Sequence, residues 1–100
     1  MVKHVILWNL KEEITGKEKE EIMKNIKEGI EGLINKVPGI IDIKVYYDAL
    51  DSSTADIMLE STFESEEALK GYAVHPEHVK VADTLVRPYT AKRSCLDFWI

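Results

Sequence analysis

Apolar positions recur first at period two and then at periods of three and four, and each change of period marks an element. From Val2 to Leu10, Val5 and Leu7 point one way while His4, Ile6, Trp8 and Leu10 point the other. Both sets are largely apolar, which predicts a strand covered on both sides. Lys11, Glu12 and Glu13 break the pattern, and Thr15-Gly16-Lys17-Glu18 has the S/T-x-x-E form of a capping box. Ile22, Met23, Ile26, Ile30, Leu33, Ile34 and Val37 then follow the stripe of an amphipathic helix, which Pro38-Gly39 stops. Gly29 and Gly32 weaken that helix by about 1 kcal/mol each relative to Ala, so close packing is the expected compensation.

A second strand is expected from Ile40 to about Tyr47, with Ile41, Val45 and Tyr47 opposed to Asp42, Lys44 and Tyr46. Asp48 to Thr54 reads as a loop, and Ala55 to Phe63 as a third strand. Ser65 should cap a short helix whose first turn holds Glu66 and Glu67. Pro76 cannot continue that helix and suits the first position of a new one, running to about Arg87 with Val79, Ala82 and Val86 on a face. Lys92 to Ile100 completes the chain as a strand with Leu96, Phe98 and Ile100 on one side. The order β-α-β-β-α-β predicts an α+β, ferredoxin-like split βαβ fold. Its four-stranded antiparallel sheet carries helices on one face, within a single domain spanning residues 1–100.

Two helices cover only one face of such a sheet. His4, Ile6, Trp8, Leu96 or Trp99, and members of the Tyr46/Tyr47 pair cannot all be sheltered by them. An exposed apolar sheet face meets a partner, and two sheets packed face to face predict a homodimer closed as an α/β barrel. Charge narrows the partners further. Thirteen basic against eighteen acidic residues leave a net charge of −5, which argues against nucleic acid. No apolar run reaches the roughly 20 residues of a membrane span, so no membrane partner is expected. The opening residues show no signal-peptide cleavage pattern, and the lone Cys95 excludes an internal disulfide; both readings favour the cytoplasm.

Candidate chemistry gathers at Gly71-Tyr72-Ala73-Val74-His75-Pro76-Glu77-His78-Val79, where a phenol and two imidazoles flank a helix break. His78, third in the new helix, is disfavoured as a cation there, and a neutral imidazole hydrogen-bonded to a phenol serves as a general base. Catalytic roles for His78 and Tyr72, with ligand contacts from His4, Trp8 and His75, form the functional reading. A plainer reading stands beside each of the four polar residues: His75 as a helix cap, Tyr72 as a core aromatic, His78 in a structural hydrogen bond, and His4 as a satisfied core histidine. His75 and His78 are three apart, but the Pro76 turn directs His75 away, and no H-E-x-x-H or cysteine cluster occurs. Neither metal nor cofactor is therefore expected, and Cys95, mid-strand among apolar neighbours, reads as inert packing.

The segments V-K-H-V-I-L-W, E-E-I-T-G-K-E-K-E-E, T-F-E-S-E-E-A-L and above all Y-A-V-H-P-E-H-V resemble the stress-responsive A/B barrel (Dabb) domain family across essentially the whole chain. The resemblance implies a ferredoxin-like fold dimerising sheet to sheet into an α/β barrel. It also implies a small organic ligand, apolar or polyketide-like, held in the barrel cavity. In a plant polyketide cyclase of this family, the residue matching His78 is the base that removes a proton between two carbonyls, and the residue matching Tyr72 orients it and binds the carbonyl. Met23 and Ile26 stand where that cyclase has aromatic residues, so the pocket wall differs. A cofactor-independent cyclase or lyase, a ligand-binding protein and a non-catalytic structural stress dimer remain the alternatives.

Overall fold

A computed structural model describes all residues, 1–100. The elements run β1 (Val2–Leu10), α1 (Gly16–Glu31), β2 (Ile40–Tyr46), β3 (Ile57–Phe63), α2 (Glu66–Val74), α3 (Pro76–Val81) and β4 (Thr90–Trp99). A 3₁₀ turn, Gly32–Asn35, tightens the end of α1, and a π-helical turn, Ala82–Val86, prolongs α3. The strands are ordered β2-β3-β1-β4, and every neighbouring pair is antiparallel. This is the expected ferredoxin-like architecture.

Alternation in β1 decides what each face carries. His4, Ile6, Trp8 and Leu10 are buried beneath the helices, while Val5 is half-buried and Leu7 exposed on the opposite side. Cross-strand pairing extends that free face to Met58 and Tyr46 and to Leu96 and Phe98. An apolar open face is thus present, and of the residues whose side the sequence left open, His4, Ile6 and Trp8 belong to the covered side while Tyr46 and Leu96 belong to the free one. Two largely apolar faces of one strand look alike until the helices choose between them.

The core lies between sheet and helices, where Ile22, Met23, Ile26 and Ile30 of α1 meet Trp8, Val45, Leu59 and Phe63. Gly29 lets α1 come close to the second helical segment. A Cβ there would fall 2.6 Å from Leu85 Cδ1 and 3.2 Å from Val81 Cγ1. No such neighbour surrounds Gly32, so the close-packing expectation holds for the first glycine alone. Gly39 is required by the turn itself, with φ at +86° and Ala68 Cβ only 2.6 Å from where its own Cβ would sit.

Two local expectations are corrected. Thr15 is the N-cap of α1, but its side chain makes no capping hydrogen bond. Gly16, at φ +60°, follows it in the left-handed region. In β2 the register shifts between Ile40 and Asp42, an irregularity that re-aims the strand. Ile43 and Val45 are buried, whereas Ile41, expected beside Val45, is 47% exposed. Ser65 does cap α2, accepting from the Ala68 amide at 3.1 Å, and Pro76 opens α3 as expected.

Candidate functional site

The break between α2 and α3 arises from the backbone chemistry of His75-Pro76. The residue before a proline is forced out of the helical region, and His75 sits at φ −64°, ψ 133°. Its Nδ1 then accepts a hydrogen bond from the Glu77 amide at 3.1 Å and caps α3. This cap commits His75 locally, and its side chain lines neither of the two cavities described below. The structure therefore does not bring it to the other candidate residues as a ligand contact.

Tyr72, in the last turns of α2, is 2% exposed and its hydroxyl has no hydrogen-bond partner. Burial pushes the phenol far above its ordinary value, so it stays a neutral O–H and a ready donor. One turn into α3, His78 lies against it, with ring centroids 4.2 Å apart and planes inclined by 35°. The two rings therefore stack; the hydrogen bond that orients the imidazole comes from elsewhere. His78 Nδ1 is 3.1 Å from the Ala73 carbonyl oxygen, which can only accept. The proton of the neutral ring is thereby placed on Nδ1, leaving Nε2 with its lone pair. Burial lowers the pKa of His78, and the guanidiniums of Arg87 and Arg93 press it the same way against the opposing pull of the Ala73 carbonyl.

These groups line a cavity of about 300 Å³ together with Ile6, Trp8, Leu59 and Val86. Arg87, Thr90 and Arg93 add polar groups to its lining, and Ala82 and Val86 of the π turn form part of the wall. A π turn widens a helix locally and is frequent where a side chain must be re-aimed. The cavity lies between the helices and the covered face of the sheet. Tyr72 and His78 thus line a cavity within one chain, on the side of the sheet away from its free face. Helices α2 and α3 pack over the His4-Ile6-Trp8 side, so their inward residues can reach only that side.

His4 belongs to a neighbouring cavity of about 510 Å³, lined also by Leu69, Arg93, Cys95, Asp97 and Trp99. Its ring is edge-on to Tyr72 at 6.3 Å and to Phe63 at 6.2 Å. Its Nδ1 is hydrogen-bonded to the Asp97 carboxylate. Arg93 lines both cavities and connects them. Sequence reasoning singled out neither Asp97 nor Arg93. The signal lay in strand periodicity: residues 93, 95, 97 and 99 share the face opposite Phe98, and that face is the one bearing Trp8 and His4.

A model of the stress responsive A/B barrel domain matches residues 2–100. Olivetolic acid cyclase of Cannabis sativa is 32% identical over 100 residues, covering 97% of this chain and 94% of that protein. A stress-response A/B barrel domain-containing protein of Arabidopsis thaliana is 34% identical over 87 residues, 81% of this chain and 73% of its own length. Among solved structures, a dimeric protein of unknown function and ferredoxin-like fold from Bacteroides fragilis superposes with a TM-score of 0.92 at 33% identity, covering 99% of this chain and 95% of that one. By the family model and by these relatives, the chain belongs to the stress responsive A/B barrel domain family.

Proposed function

We propose that this chain binds a small, mostly apolar organic molecule in the cavity beside Tyr72 and His78, with an acceptor oxygen of the ligand on the Tyr72 hydroxyl. The observation that carries the proposal is that hydroxyl: buried, protonated and without a partner. An unmatched buried donor costs about 1–3 kcal/mol, a cost that a ligand oxygen would remove. The apolar walls set the body of the ligand, and the Arg87 and Arg93 guanidiniums favour an acidic substituent on it. We infer, too, that two copies associate through the free sheet face; the similar Bacteroides structure is described as dimeric.

Calorimetric titration with 2,4-dihydroxybenzoate, which has a ring, acceptor oxygens and one carboxylate, tests the ligand reading. Tyr72→Phe should weaken binding about five- to tenfold, the worth of one hydrogen bond. Unchanged affinity in that variant, or no binding by the parent chain at millimolar ligand, would refute it.

A second reading has its own support, the tautomer of His78. A neutral imidazole tied at Nδ1 and free at Nε2 is arranged to take a proton from an acidic carbon between two carbonyls. The electron pair left behind moves to the carbonyl oxygen, where the Tyr72 O–H would stabilise it. The cyclase named among the relatives favours this reading as well. Deuterium uptake at the central carbon of an acetoacetyl thioester in D₂O should exceed the uncatalysed rate and fall to that rate in His78→Gln. Equal uptake by both chains would leave the protein a binder only.

A further inference from the structure

We propose that His4, Cys95 and Asp97 form a three-residue site for a thiophilic divalent cation, Zn²⁺ or Co²⁺ rather than Mg²⁺ or Ca²⁺, at the open edge of the sheet. Strand register brings the three together. In the β1–β4 pairing His4 stands opposite Asp97 and Ile6 opposite Cys95, so both β4 residues share the face on which His4 lies. One nitrogen, one sulfur and one carboxylate oxygen all come within 4.8 Å of one another. Cys95 Sγ is 3.9 Å from His4 Nδ1 and 3.5 Å from Asp97 Oδ1. A tetrahedral zinc with ordinary bond lengths has ligand–ligand edges of about 3.3–3.7 Å, which the two sulfur separations nearly match, while the hydrogen-bonded His4 Nδ1 and Asp97 Oδ1 must move apart to admit the ion.

The donor set and its setting both suit such an ion. A thiolate with an imidazole and a single carboxylate selects zinc or cobalt, whereas magnesium and calcium need more oxygens. His4 is held rigidly, its side chain 8% exposed, while Asp97 at 44% exposure leaves the entry path and a fourth position open to water. A bound cation favours the thiolate form of Cys95. On binding, the thiol releases its proton to water. His4 passes its proton from Nδ1 to Nε2 so that the Nδ1 lone pair faces the ion, and the metal replaces the present His4–Asp97 hydrogen bond. Arg93, Glu66 and Lys70 line the same cavity as the remaining charged groups.

The site shares no ligand with the Tyr72–His78 pair, so its test stands apart from the proposed function. The probe is Co²⁺ alone, added to the reduced, chelator-stripped full chain. One equivalent should produce the near-ultraviolet thiolate-to-cobalt charge-transfer band and the intense visible bands of four-coordinate cobalt, both removed by Zn²⁺. Cys95→Ser should abolish the charge-transfer band, and Asp97→Asn should weaken binding on the order of tenfold to hundredfold. Both substitutions fall on exposed strand positions, so the fold survives them and no variant of buried His4 is needed. No charge-transfer band at stoichiometric cobalt, or full affinity in Asp97→Asn, would overturn the site. In the 2,4-dihydroxybenzoate titration, Cys95→Ser should match the parent chain; failure of that titration in both would count against the Tyr72 cavity and leave the metal site standing.

Discussion

The two faces of the sheet handle polarity in opposite ways. Beneath the helices, polar groups are set into apolar surroundings: His4, Tyr72 and His78 lie among Ile6, Trp8, Leu59 and Phe63. On the free face the arrangement is reversed: apolar Leu7, Leu96 and Phe98 lie exposed, and Val5 and Met58 half-exposed, between Lys3, Lys44 and Glu60. The covered face gives up packing energy to hold polar groups, one of them the unpartnered Tyr72 hydroxyl, beside a cavity. The free face gives up solvation of the monomer to hold a surface that a second sheet can cover. The same period-two alternation sets polar groups into an apolar cavity on one side and leaves apolar groups uncovered on the other.

Charge placed on each face should break the two in different ways. Trp8→Glu replaces a buried indole with a desolvated carboxylate and a cavity against the helices and should cost several kcal/mol, enough to remove the cooperative thermal transition. Phe98→Glu, on the free face at 39% exposure, should leave the circular dichroism spectrum unchanged and halve the sedimenting mass. A folded Trp8→Glu, or an unfolded Phe98→Glu, would reverse the assignment of the faces. Tyr72→Phe probes the covered face more gently. Deleting the unpartnered hydroxyl should raise stability by about 1 kcal/mol and the melting temperature by several degrees, opposite in sign to its effect on ligand binding. A lower melting temperature would mean that the hydroxyl has a structural partner.

The smallest effect is set by pH. The folded chain disfavours the His78 cation, so the unfolded chain takes up that proton first as pH falls below 6.5. The contribution of neutral His78 is therefore complete above that value and declines as pH drops towards the lower value of the folded state. His78→Gln should flatten this part of the stability profile measured by denaturant titration, and an unchanged slope would show that the ring is not held neutral by burial.

What the sequence disclosed, and what it withheld, follow from the range of the forces involved. The His75-Pro76 break, the Ser65 cap and the alternation in β1 depend on neighbours a few residues away, and each was legible. The Thr15 box also looked local, yet its side chain makes no cap and a left-handed glycine follows it. The irregularity at Ile40 and Asp42, which exposed Ile41, has no composition signal. Tyr72 and His78 were recognisable as a pair, but as stacked rings tied by Ala73 rather than as hydrogen-bonded partners. His4 and Asp97 meet across 93 positions of sequence, and only the register between first and last strands reveals the meeting. The covered side of β4 escaped notice because its residues sort by face only once that pairing is known.

Strand β4 has a bearing on how such a protein could change. Every residue from Ala91 to Ile100 is exposed, yet Arg93, Cys95 and Asp97 contribute polar groups to the walls of the two cavities. Substitutions at exposed positions shift stability by about half a kcal/mol at most, whereas those in a packed core cost several times more. The chemistry of these cavities can thus be rewritten along one edge strand while the folding energy stays with α1 and the central strands. A single scaffold could pass through many binding preferences in this way, each within a few substitutions of the last and none of them requiring the core to be rebuilt.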